Sequence, residues 1–209
     1  MVGKSNLILI VTSGLDPQYP SNHVHFWDDQ RTKFVGRINA FDPDPIAISH
    51  SQSIFIVAQS NMINCIKMGQ VEVFSKIPTC ENPKGIHTVS TGKDFCVATC
   101  HEQIGSVNLT WFMKKDDVQA TQMKGSSDKN TMEAVDTKIL ETQKLQIEAH
   151  QNAVTCMTVN NKGTLLATAS QQVRSLLRII CVMQGTLVRI FNPTTGDKLG
   201  EFRRGTTPT

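Results

Sequence analysis

The chain has 209 residues, of which 39% are apolar and 19% charged, with a formal net charge of +3. That length suits one large domain or two small ones, and the mild basic excess falls well short of the basic stripe of a nucleic-acid binder, so nucleic acid is not an expected partner. No run approaches the roughly 18–20 apolar residues of a membrane-spanning helix; the longest candidate, residues 176–183, is interrupted by Arg178.

The opening Met1-Val2-Gly3-Lys4-Ser5-Asn6 lacks the layout of a secretory signal and leads straight into Leu7-Ile8-Leu9-Ile10-Val11, closed by Ser13-Gly14. His23-Val24-His25-Phe26-Trp27 follows, stopped by Asp28-Asp29. Next come Ile46-Ala47-Ile48, Ile54-Phe55-Ile56-Val57, Gln70-Val71-Glu72-Val73-Phe74, Asp94-Phe95-Cys96-Val97-Ala98 and Ser106-Val107-Asn108-Leu109. Late in the chain are residues 153–159, Leu165-Leu166-Ala167-Thr168-Ala169 and Leu187-Val188-Arg189-Ile190-Phe191. Short strands with turn signals about every 8–12 residues predict an all-β sandwich, barrel or propeller. Between residues 114 and 146 this rhythm breaks into polar, turn-rich sequence, read as a long inter-strand loop. Met132, Val135 and Ile139 have helical spacing, so a short helix there is the alternative.

The six cysteines, Cys65, Cys80, Cys96, Cys100, Cys156 and Cys181, form no Cys-x-x-Cys pair and no zinc spacing. They read as buried, reduced thiols of a cytosolic protein, without a metal site. The chain has no Gly-x-Ser-x-Gly nucleophile motif, Gly-rich phosphate loop or histidine cluster, so neither catalytic residues nor a cofactor are expected. The carboxylate pairs Asp28-Asp29 and Asp116-Asp117 read as turn and surface residues.

A repeat narrows the fold. Residues 149–202 open with Ala149-His150 and a strand around Val154, then turn at Asn161-Lys162-Gly163. Two further strands follow, then the turn Pro193-Thr194-Thr195-Gly196 and a last strand from Lys198. Four strands are the content of one WD-repeat propeller blade. Earlier, Trp27-Asp28 is the Trp-Asp dipeptide itself, in a similar strand–turn setting.

The blade ends in Phe202-Arg203-Arg204-Gly205. Successive side chains of a strand point to opposite faces, so adjacent arginines can serve two pockets, and each planar fork matches phosphate oxygens. With this run, Ser5-Asn6-Leu7, residues 24–29, Thr79-Cys80-Glu81-Asn82-Pro83-Lys84-Gly85, Ala149-His150, residues 163–170 and residues 185–191, the chain resembles the PROPPINs. These are seven-bladed WD-repeat propellers that bind phosphoinositides and act in autophagy. The run at 79–85 is most similar to the branch represented by the human WD-repeat phosphoinositide-interacting proteins three and four. The resemblance implies an all-β, incomplete WD-repeat β-propeller over residues 1–209, beginning at the family's second blade and ending before its last ones. About four blades are expected at roughly 40–45 residues each. An open arc of this kind, with unpaired strand edges, is expected to be poorly soluble alone.

The family pattern Ser-x-x-Gly-Thr-x-x-Arg is interrupted here, because residues 173–184 separate Ser170-Gln171-Gln172 from Gly185-Thr186. That stretch opens with valine, whose codons start GT, and closes with glutamine, one of whose codons ends AG. It reads as an unspliced intron; the alternative is a genuine inter-strand insertion.

The resemblance places a phosphoinositide pocket on His150, Ser170, Thr186, Arg189 and Arg203. Arg204 faces the other side, toward a second pocket completed in the family by a following blade. Individually, His150 also reads as the structural histidine of a WD repeat, Ser170 and Thr186 as turn hydroxyls, and Arg189 as a stem covering a blade face. The implied partners are phosphatidylinositol 3-phosphate and phosphatidylinositol 3,5-bisphosphate in membranes, and autophagy proteins. The implied location is cytoplasmic, peripheral to preautophagosomal or endosomal membranes. Membrane affinity of this chain alone is expected to be weak or negligible, since stable attachment takes more than one contact. The competing reading is a protein-interaction scaffold without lipid binding.

Overall fold

The computed structural model describes residues 6–38, 41–51, 54–68, 71–92, 94–116, 137–173 and 183–203. Among these residues there are fifteen β-strands and no helix, so none crosses a membrane as an apolar helix. The strands form four antiparallel sheets. Sheet 1 runs β1 (Leu7–Val11), β2 (Val24–Asp28), β3 (Lys33–Ile38). Sheet 2 runs β4 (Ala47–His50), β5 (Ile54–Ala58), β6 (Met62–Lys67), β7 (Glu72–Pro78). Sheet 3 runs β8 (His87–Val89), β9 (Asp94–Cys100), β10 (Ser106–Asp116), β11 (Thr137–Glu148). Sheet 4 runs β12 (Val154–Val159), β13 (Leu166–Val173), β14 (Met183–Phe191), β15 (Lys198–Arg203). Consecutive strands pair within each sheet, as in propeller blades, and the first strands of neighbouring sheets touch, β1 with β4, β4 with β8 and β8 with β12.

The apolar pattern dictates this stacking. The middle strands β5 and β9 are buried on both faces and are therefore nearly continuous apolar runs. Each pair of neighbouring sheets encloses its own core. Val24, Phe55, Val57 and Ile66 join sheets 1 and 2. Ile54, Ile56, Phe95, Val97 and Phe112 join sheets 2 and 3, with Phe95 stacked on Phe112 at 5.4 Å. Leu109, Ile147, Met157, Leu166 and Phe191 join sheets 3 and 4.

The family-like turns have local causes. In Asn82-Pro83-Lys84-Gly85, the Asn82 side chain accepts from Ile86 N (2.7 Å) and donates to Ile86 O (3.0 Å), closing the link from sheet 2 to sheet 3. Gly85 sits at φ +58 with only 2.8 Å between an added Cβ and Ala47 Cβ, so both conformation and space require glycine. In the Trp-Asp dipeptide, buried Asp28 accepts from the Asn6 side chain and from Arg31 N (3.0 Å), tying the β2–β3 turn. This is the turn role expected of it.

The structure bears on several expectations. The stretch 114–146 is strand at both ends, since β10 extends to Asp116 and β11 begins at Thr137; residues 117–136 lie outside the described residues. Ile139 belongs to β11, paired with Lys114, so the helical spacing that includes it does not form a helix through that residue. The cross-strand ladder of β10 outweighs a three-residue periodicity. The edges of the expected insertion at 173–184 continue the β13–β14 hairpin, with Gln172 opposite Gln184 and Val173 opposite Met183; residues 174–182 lie outside the described residues. Among the cysteines, Cys65, Cys96 and Cys100 are buried and Cys80 is half-buried, but Cys156 is exposed, because it lies on the face of β12 turned away from sheet 3, and Cys181 lies outside the described residues.

Candidate functional site

Sheet 4 carries the candidate residues. Its register sets Thr168 opposite Arg189 and Arg189 opposite Glu201, while Ser170 stands opposite Leu187 and Leu187 opposite Arg203. Residues two apart on a strand share a face, so all of these side chains lie on the face turned toward sheet 3. The register of β14 and β15 shifts between Ile190 and Phe191, leaving Leu199 as the extra residue. That bulge brings Lys198 onto the same face as Glu201, although the two are three residues apart.

His150 precedes β12 and is buried. Its main-chain N–H donates to Gly105 O at 2.8 Å, which pins it to the β9–β10 turn of sheet 3. Its ring bridges two hydroxyls of β13, Nε2 with Thr168 Oγ1 at 2.9 Å and Nδ1 with Ser170 Oγ at 2.8 Å. A hydroxyl donates or accepts as the imidazole tautomer requires, so both ring nitrogens are satisfied. Burial first, and the Arg189 charge second, hold the His150 pKa below its ordinary value, so the ring is neutral at pH 7.

Arg189 donates from Nη1 to Ala149 O at 2.6 Å and from Nε to Glu201 Oε2 at 2.9 Å. Lys198 Nζ stands 3.6 Å from the same oxygen, and Arg203 Nη2 stands 3.6 Å from Glu201 Oε1. Three cations therefore surround one carboxylate. The Arg189 hydrogen bond and the neighbouring positive charges keep the Glu201 carboxyl below the usual glutamate range. Arg189 is largely covered, whereas the Arg203 side chain is 70% exposed. Beside them runs a cavity of about 480 Å³ between β11 and the β14–β15 turn, lined among others by Gln146, Glu148, Arg189, Thr195, Asp197 and Lys198. Chemically, the arrangement presents arginine forks and an ammonium to an oxyanion at the rim of sheets 3 and 4.

The structure brings His150, Ser170 and Arg189 together, and Arg203 joins them through Glu201. Thr186 lies on β14, but its side chain is outside the described residues, as is all of Arg204. Sequence reasoning missed Glu201, Lys198 and Thr168. For Glu201 and Thr168 a signal existed, because each is two residues from a named candidate and so must share its face; for Lys198 none did, because the bulge at Leu199 is not written in the residue types.

No protein-family model matches the chain. It is similar to Autophagy-related protein 18e of Arabidopsis thaliana, 30% identical over 210 residues, covering 98% of this chain and 45% of the relative. It is also similar to SVP1-like protein 2 of Schizosaccharomyces pombe, 24% identical, covering 98% and 46%. The chain thus spans about half the length of the curated relatives it matches. Among solved structures, Kluyveromyces lactis Hsv2 superimposes with a TM-score of 0.62 at 22% identity, covering 98% of this chain and 50% of that one. KlAtg21, solved in complex with the coiled coil of AgAtg16, superimposes with a TM-score of 0.62 at 17% identity, covering 98% and 55%. These two likenesses speak for the fold, which is that of a β-propeller sector.

Proposed function

This chain belongs to the PROPPIN family of WD-repeat β-propellers, and from that premise we propose that it binds a phosphoinositide head group at the rim of sheets 3 and 4, on membranes where autophagosomes form. The observation that carries this reading is the convergence of Arg189, Lys198 and Arg203 on one face of sheet 4 beside an open cavity. A phosphomonoester brings up to two negative charges and several acceptor oxygens, which an arginine fork engages bidentately. In this reading Arg189 and Arg203 contact phosphate, with Thr186 and Arg204 assigned by the family resemblance. His150 and Ser170 act one step back. Their hydrogen bonds fix the turn whose Ala149 carbonyl holds Arg189. The lipids proposed are phosphatidylinositol 3-phosphate and the 3,5-bisphosphate, and the protein partners proposed are components of autophagy.

One observation favours the second reading, a protein-interaction scaffold. Both His150 ring nitrogens are already engaged by Thr168 and Ser170, the arrangement of a purely structural tether. The two readings separate on the double variant Arg203→Ala, Arg204→Ala. In flotation with phosphatidylcholine vesicles carrying phosphatidylinositol 3-phosphate, the lipid reading expects the variant to lose binding that the parent chain shows. A parent chain that does not float, or a variant that floats equally well, leaves the scaffold reading standing.

A further inference from the structure

We propose that Glu201 is a built-in competitor for the phosphate site: its carboxylate occupies the Arg189–Lys198–Arg203 cations until a doubly charged phosphate displaces it, so that singly charged head groups are rejected. This rests on the reading that this face receives a lipid phosphate.

The geometry supports displacement. Both Glu201 oxygens are in use, Oε2 toward Arg189 and Lys198 and Oε1 toward Arg203, at 2.9, 3.6 and 3.6 Å. A carboxylate and a phosphate offer the same kind of oxygen to a guanidinium fork, so one can replace the other without moving the arginine backbone. Arg189 has a second anchor, Ala149 O at 2.6 Å. Its position therefore survives when Glu201 swings away. Arg203 and Lys198 are mostly exposed, at 70% and 52% for their side chains, and exposed ion pairs are individually weak. Such a contact is exchangeable rather than permanent. Glu201 itself is tethered by β15 directly opposite Arg189, so it is always present at high local concentration.

A competitor fixed in place sets a threshold. A phosphomonoester dianion exceeds the carboxylate in charge and in oxygens and displaces it. The monoanionic phosphodiester common to phospholipids, and the serine carboxylate, offer no more than Glu201 already supplies. The surrounding charge sharpens this discrimination: three cations against the Glu201 carboxylate leave a net +2, a dianion that displaces it lowers this to +1, and a monoanion that displaces it gains nothing.

The test uses the full chain and its Glu201→Gln variant, with binding measured to phosphatidylcholine vesicles carrying either phosphatidylinositol 3-phosphate or phosphatidylserine. The amide keeps the shape of the side chain and removes its charge. The expected result is about tenfold tighter binding of the variant to the phosphoinositide vesicles, reflecting the exposed ion pairs that phosphate no longer has to replace, together with new binding to phosphatidylserine. Glu201→Ala, which also removes the hydrogen-bond acceptor, is expected to do the same and serves where the amide variant does not fold. If the parent chain binds the phosphoinositide and both variants bind it equally or more weakly, Glu201 positions Arg189 instead, and the competitor role is overturned while the lipid site stands. If neither parent nor variants bind the phosphoinositide above plain phosphatidylcholine, the lipid site itself fails and the competitor role with it.

Discussion

Gly105 is the point at which sheet 3 holds the turn that presents His150, and replacing it with alanine gives a severe, local test of that linkage. A Cβ built on Gly105 would lie 2.0 Å from His150 O, 2.8 Å from His150 C and 3.1 Å from Asn152 O. All three are backbone atoms, so the clash cannot be relieved by turning a side chain. The residue also sits at φ +84, where an L side chain costs about 1–2 kcal/mol. Moving the 149–152 turn away breaks the bond from His150 N to Gly105 O, 2.8 Å in the native fold, for about another 1 kcal/mol. Gly105→Ala is therefore expected to destabilise the fold by about 2–3 kcal/mol, the sum of the left-handed conformation and the lost bond. Urea unfolding followed by tryptophan fluorescence reads this directly, because Trp111 donates to Pro193 O at 3.2 Å across sheets 3 and 4. Gly36→Ala is the control: the nearest atom to its added Cβ is Phe26 Cδ2 at 3.7 Å, ordinary contact, and its cost should stay within about 1 kcal/mol. Equal stability of the two variants would refute the claim that this turn is clamped between the sheets.

Stability should also fall in mild acid. Burial lowers the pKa of His25, His87 and His150, helped by His23 for the first and by Arg189 for the third. Because the folded values lie below the unfolded value of about 6.5, the unfolded chain takes up protons first, so stability is complete above about pH 6.5 and declines as pH falls toward the folded values. Thermal melts between about pH 7.5 and 5.5 should show a falling midpoint, and a flat profile would contradict the buried, neutral rings. Thiol chemistry offers a separate check. Burial pushes the Cys65, Cys96 and Cys100 thiols up to about 12, whereas Cys156 is exposed. Iodoacetamide on the native chain should modify Cys156 rapidly and spare the other three until the protein is unfolded; mass spectrometry showing equal labelling would contradict the assigned faces of β9 and β12.

How much of this was legible in the residues depends on burial. The strands β5 and β9 are dry on both faces and could be read as unbroken apolar runs. The outer strands β3 and β11 face solvent and carry Lys33, Arg37, Lys138, Glu141 and Lys144, so hydrophobic periodicity passed over them. For β3 and β11 it is the ladder to β2 and β10 that makes them strands. The strand β8 is three residues long, too short to carry a period. The strand β6, Met62–Lys67, is apolar enough to have been read but holds Asn64, whose amide is buried and donates to Gln59 Oε1 at 2.7 Å. At the site, the arginines announced themselves by residue type, while their common partner Glu201 did so only by its position two residues before Arg203. The local charge balance therefore became visible only with the register of β14 and β15.

The central claim is that the cationic face of sheet 4 recognises a lipid phosphate, and direct binding at two ionic strengths tests it most simply. The parent chain would be titrated with phosphatidylcholine vesicles containing phosphatidylinositol 3-phosphate, and with vesicles in which unphosphorylated phosphatidylinositol replaces it. Exposed charges are screened over about 8–10 Å near physiological salt, so the account predicts binding to the phosphorylated lipid alone, of modest strength and weakening markedly as salt rises. Binding that is indifferent to salt, or equal for the two lipids, would contradict it.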